Sequence, residues 1–101
     1  MIIYNVTIKV ENEVAEAWVN WMKTVHMADL MGTGLFNDCR LCRLLEQDDT
    51  EGPTYAAQYF MNSIAEYNKY IESYAQTMRE RAHKEFGGKF AAFRTVMEIV
   101  G

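Results

Sequence analysis

Residues 2–10, IIYNVTIKV, alternate in character with a period of two: Tyr4, Val6, Ile8 and Val10 fall on one side, Asn5, Thr7 and Lys9 on the other. Successive side chains of a strand point to opposite faces, so this stretch predicts a half-buried β-strand. The next residues, ENEV, break the alternation and open a helix, with Asn12 placed as its N-cap and acidic residues in the first turn. From there the apolar residues recur at Val14, Trp18, Trp21, Met22 and Val25, a helical spacing. Gly32 and Gly34 end that helix. A strand over 35–45 follows, then the polar turn EQDDTEGP, then a second alternating stretch at Tyr55–Met61. Asn62 or Ser63 caps a second helix whose stripe is Ile64, Tyr67, Ile71, Tyr74, Ala75, Met78 and Ala82. FGGK stops it, and a last strand runs over Phe90–Val100.

The order is therefore β-α-β-β-α-β. It predicts a ferredoxin-like βαββαβ sandwich, with a four-stranded antiparallel sheet carrying two helices on one face. A chain of 101 residues, half of them hydrophobic and 13% aromatic, fills one core and is read as one domain over 1–101. With 10 basic and 14 acidic residues the net charge is −4 and no long basic cluster occurs, which argues against a nucleic-acid partner. No apolar run approaches the ~20 residues of a membrane span. MIIYNVTIKV lacks a basic leader region and a small-residue cleavage site, so a cytoplasmic location with reduced thiols is expected. The NVT triplet at 5–7 is then a chance match to a glycosylation sequon.

If both helices cover one sheet face, the other meets water or a partner. The residues expected on that open face are Ile3, Leu41, Leu45, Phe60, Phe90 and Val96, mixed with Gln58, Arg43, Arg94 and Glu98. Such a face is too apolar to leave bare and too polar for a simple core, which predicts a homodimer formed sheet to sheet.

Few residues carry a chemical signal. Cys39 and Cys42 stand in C-x-x-C spacing, but three residues apart on a strand they point opposite ways, so they share neither a metal nor an easy disulfide. They are read as packing residues, and no metal site is expected. His26 falls at the boundary of the first helix's apolar stripe, and Asp29 lies one turn on. Either the two form an acid–base pair at the polar end of a pocket walled by Trp18, Trp21 and Met22, or His26 meets the helix dipole while Asp29 caps the loop. His83 stands off the second stripe, either as solvated surface or as an axial ligand at a cavity edge. Tyr55, Tyr59, Tyr67, Tyr70 and Tyr74 cluster as core or as the lining of an aromatic ligand cavity. No Ser-His-Asp set or phosphate-cradling glycine loop occurs, and FGGKF leads into a strand rather than a helix.

Together MIIYNVTIKV, the W-x-x-W-M followed by H-x-x-D-L-M-x-T-G-L-F over Trp18–Phe36, CRLL, YAAQYF and FGGKFAAFRT resemble bacterial domain-of-unknown-function family 4286 across essentially the whole chain. That resemblance implies a ferredoxin-like fold of the dimeric α/β-barrel type and no particular activity. A looser likeness is to the wider dimeric α/β-barrel group, which includes quinone-forming monooxygenases and haem-degrading enzymes. The haem-degrading members imply candidate haem contacts at Asn5 and His83, but Phe60 stands where they carry a tryptophan.

The function expected first is a small homodimer that binds an apolar or aromatic small molecule between sheet and helices without a cofactor. Trp18, Trp21, Met22, His26 and Tyr59 are its expected wall. Two alternatives stand beside it. One is a cofactor-light or haem-dependent monooxygenase or isomerase, and the other is a structural dimer without ligand.

Overall fold

The computed structural model describes residues Met1–Gly101. Strand β1 (Ile2–Val10) is followed by a 3-10 turn (Asn12–Val14), helix α1 (Ala15–Trp21), a π-turn (Met22–His26) and helix α2 (Met27–Met31). Strands β2 (Asp38–Arg43) and β3 (Thr54–Met61) come next, then helices α3 (Ile64–Ser73) and α4 (Ala75–Phe86), and strand β4 (Phe90–Glu98). The sheet order is β2-β3-β1-β4, and all three pairings are antiparallel. This is the ferredoxin-like arrangement, in which each βαβ unit is split by a strand of the other.

Both helical arms differ in detail from the uninterrupted helices expected. The first contains the π-turn at Met22–His26, and the second divides at Tyr74, whose backbone (φ −131°, ψ −33°) leaves the helical region. Asn12 does not cap the first arm. Its Nδ2 donates instead to the Thr50 carbonyl at 3.1 Å, tying the loop before β3 to the end of β1. The second arm starts at Ser63, and the Asn62 N–H donates to Glu66 Oε2 at 3.1 Å. It ends where Gly87, at φ +60°, takes a conformation costly for a side-chain-bearing residue.

The helices pack on the face of β1 that carries Ile2, Tyr4, Ile8 and Val10, joined by Ala57, Tyr59 and Met61 of β3. Trp18, Met22, Met27 and Leu30 close over it from the first arm, and Tyr70, Ala75 and Met78 from the second. Tyr4 sits at the centre. Its ring lies 5.4 Å from Tyr70, 5.8 Å from Tyr67, 6.0 Å from Tyr59 and 6.5 Å from Phe36. Each such aromatic pair adds about 0.5–1.5 kcal/mol beyond area burial.

The pairing register corrects the expected open face. Ile3 pairs with Phe60 and Met97, Asn5 with Gln58 and Thr95, and Thr7 with Ala56 and Phe93. Arg40 joins this face opposite Gln58, with its guanidinium 4.7 Å above the Phe60 ring. Ile3, Phe60 and Gln58 are thus on the open face as expected. Leu41 and Arg43 share the other parity with Tyr59 and Tyr55, while Phe90, Arg94, Val96 and Glu98 pair opposite Val10, Val6, Tyr4 and Ile2, so all six belong to the helix side. Leu45 lies beyond the end of β2. Strands with apolar residues on both parities carry no phase of their own, and pairing with β1 and β3 sets it. The true open face keeps a mixed character, with Ile3, Phe60, Met97 and a 63% exposed Phe93 set among Asn5, Gln58, Thr95 and Arg40.

Candidate functional site

Between the sheet and the helices lies a narrow cavity of about 50 Å³. It is walled by Trp18 and Trp21 of α1, by Met22 and His26 at the two ends of the π-turn, and by Tyr59 of β3. Fourteen of its seventeen lining residues are hydrophobic, and the other three are His26, Arg79 and Arg94. Its remaining boundary runs between α4 and β4, where Arg79, Ala82, Phe90, Ala92 and Arg94 lie. All five residues singled out from the sequence as a wall therefore border one space. Tyr70, from the tyrosine cluster read as core or cavity lining, also borders it. So do Arg79 and Arg94, which were not singled out as wall: Arg79 lies off the helical stripe, and the phase of β4 that turns Arg94 inward is set by pairing alone.

The π-turn positions the histidine. In an α-helix, residues five apart differ by about 140° around the axis, which would hold Trp21 and His26 on different faces. A π-turn bonds residue i to i+5 and brings such residues onto one side. The Trp21 and His26 rings accordingly stack, with centroids 4.6 Å apart and planes at 20°, while Phe86 meets Trp21 edge-on at 5.4 Å. His26 Nδ1 is enclosed and has no hydrogen-bond partner. Burial pushes the imidazole down to about 4. The nearby Asp29 carboxylate works against that shift, and the Arg81 and Arg94 guanidiniums add to it. The ring is therefore neutral at pH 7.

Of the two readings of His26 and Asp29, the acid–base pair is not assembled. Asp29 Oδ2 accepts a hydrogen bond from Arg81 Nη1 at 3.2 Å, and no hydrogen bond joins it to the imidazole. Deeper in, burial raises the pKa values of the Tyr59 and Tyr70 hydroxyls, which stay protonated throughout the physiological range.

Asn5 and His83 do not converge on a haem site. Asn5 lies on the open face, where its Nδ2 donates to Thr7 Oγ1 at 3.1 Å and its Oδ1 is enclosed without a partner. His83 is exposed on α4, with its ring 5.2 Å from Phe90 on the helix side. The sheet stands between them, and Phe60 is on the Asn5 side. Cys39 and Cys42 also face opposite ways, Cys39 with Tyr59 and Cys42 with Ala56. Burial, with Asp38 beside it, pushes the Cys39 thiol up, away from the thiolate form that binds metals. No group of three His, Cys, Asp or Glu side chains is placed to hold a metal ion. No helix is long and apolar enough to cross a membrane.

The family model described as Domain of unknown function (DUF4286) matches residues 1–100. The chain belongs to this family. No curated protein matches the DUF4286 chain. Among solved structures it is similar to a dimeric ferredoxin-like protein from an uncultured marine organism, at 10% identity and a TM-score of 0.75, covering 99% of this chain and 95% of that one. A proposed antibiotic biosynthesis monooxygenase from Deinococcus radiodurans matches at 14% identity and a TM-score of 0.59, over 100% and 94% of the two chains. The hydroxynitrile lyase of Passiflora edulis matches at 12% identity and a TM-score of 0.60, over 99% and 96%. At these identities the likeness establishes the fold. One backbone carrying differently named chemistries says that this chain's function must be read from its own site.

Proposed function

We propose that this DUF4286 protein is a small cytoplasmic homodimer, with one domain per chain, that binds an apolar or aromatic small molecule in the chamber between sheet and helices. The observation that carries this reading is the apolar cavity itself, bordered by a neutral His26 whose enclosed Nδ1 lacks a partner. A buried polar atom without a partner costs about 1–3 kcal/mol. A bound ligand that repacked the Trp21–His26 stack would relieve that cost. At about 50 Å³ the chamber is smaller than the ~150 Å³ that admits benzene in an engineered apolar cavity. Entry of a ring therefore needs its walls to move, and unbranched Met22 and Met78 are the flexible ones.

The dimer is supported by the open face. Phe93 is exposed there, and a structural neighbour is described as dimeric. The enzyme alternative keeps one supporting observation, a neutral imidazole beside the cavity, and loses its dyad because Asp29 is held by Arg81. If His26 acts as a lone base, incubation converts the bound molecule. If the protein only binds, the molecule is recovered unchanged.

Thermal unfolding with increasing benzyl alcohol tests the binding reading. The melting temperature should rise with ligand concentration, and Ala82→Leu, which adds bulk to the lining from α4, should abolish the rise. A rise of equal size in Ala82→Leu would move the binding site out of the cavity, and no rise in the unmodified protein would leave the ligand-free structural dimer.

A further inference from the structure

The cavity's charge is opposite to that of the chain. The protein carries 14 acidic and 10 basic residues, yet two arginines and no carboxylate line this space. Arg79 projects from α4 and Arg94 from the helix-facing side of β4, so the pair flanks one boundary of an otherwise apolar chamber. The ion pairs of the molecule are Arg43–Asp49, Arg81–Asp29 and Lys89–Glu13, and neither Arg79 nor Arg94 takes part in one. Their field nonetheless reaches inward. Both lower the pKa of the Tyr70 hydroxyl against the larger effect of burial, and Arg94 acts on His26 in the same direction.

Two unpaired guanidiniums beside an apolar chamber are an anion site joined to a hydrophobic one. The guanidinium fork matches a planar carboxylate, with two parallel N–H donors to its two oxygens. Resting on the reading that the cavity takes a small apolar molecule, we infer that its ligand is a small apolar monocarboxylic acid. The alkyl or aryl body lies against Trp18, Trp21 and Met22, and the carboxylate lies between Arg79 and Arg94. At that boundary the anion keeps part of its hydration, so its charge is not carried into the core.

Benzoate, benzyl alcohol and benzylamine share one ring and differ in charge, and their affinities can be measured by calorimetry on the full chain. Benzoate should bind about tenfold tighter than benzyl alcohol, the size expected of two partly exposed charge contacts, and benzylamine weakest. In the double variant Arg79→Gln/Arg94→Gln the ratio of benzoate to benzyl alcohol affinity should fall to about one. Both arginines are exposed, so the variant should fold. Benzoate binding no tighter than benzyl alcohol, or a ratio unchanged in the double variant, would overturn the carboxylate assignment while leaving an apolar-ligand site intact. Failure of all three to bind would overturn both.

Discussion

Lowering the pH from 7 to 5 should destabilise this protein through a single side chain, His26. Its imidazole is held at about 4 in the folded chain, against 6.5 when unfolded. Between those values the unfolded chain binds a proton that the folded chain refuses, so stability falls as pH drops below about 6.5 and the loss levels off near 4. Linkage over that pair of values gives a loss of roughly 2 kcal/mol between pH 7 and pH 5, and roughly 3 kcal/mol once both states are protonated. For a chain of this size 2 kcal/mol lowers the melting temperature by roughly 10 °C. The charged groups acting on the ring are Asp29, Arg81 and Arg94, with Arg79 on the same cavity. The assay is thermal unfolding at pH 7 and pH 5, at one fixed protein concentration, for the unmodified protein and for His26→Phe. Phenylalanine keeps a ring against Trp21 and removes the orphaned nitrogen, so the variant should lose little stability over this interval. Parallel losses in the two proteins would show that His26 is not held neutral by burial, and the account of the cavity wall would be wrong.

Trp18 is a fully enclosed core residue with its ring 5.1 Å from Tyr55, and Trp18→Ala should cost about 3–5 kcal/mol in urea denaturation; a loss below about 1 kcal/mol would contradict its placement. Gly52 sits at φ +149° with its Cα against the end of β1, so that a Cβ there would run into the Val10 carbonyl. Gly52→Ala should therefore cost on the order of 3 kcal/mol in the same measurement, and an unchanged midpoint would show that the loop is placed wrongly. Phe93→Glu adds a charge to the open face while removing no core contact. Sedimentation should show twice 11.7 kDa for the unmodified protein and 11.7 kDa for the variant, and a dimer in both would move the interface elsewhere.

The element order was legible because β1 is two-sided: apart from Ile3 its apolar residues fall on one parity, and that parity became the core. Phase was not legible where both parities are apolar. Phe90 and Phe93 differ in parity, as do Ala91 and Ala92, and only hydrogen bonding to β1 decides that Phe93 faces outward while Arg94 faces the cavity. The five wall residues could be gathered from helical spacing and strand alternation. The arginines could not, since Arg79 at a helix position off the stripe reads as solvated surface and Arg94 lies on the strand whose phase only pairing sets. The position of His26 was partly hidden for a different reason. An α-helical period places it at the stripe's edge beside Asp29, whereas the π-turn swings it onto the Trp21 ring. A widened turn has no compositional mark in MKTVH. The pairing of Asp29 with Arg81, 52 residues on, is a tertiary contact that no local spacing announces.

The binding chamber is tested most directly by the side chains that form it. The chain has two tryptophans, both on the cavity, so its two indole N–H resonances report on that space and little else. In a nitrogen–proton correlation spectrum titrated with benzyl alcohol, both indole signals should shift together and saturate at a common affinity, with His26 moving alongside. Indole signals that stay fixed, or that drift linearly without saturating while surface amides move, would contradict a ligand site between sheet and helices.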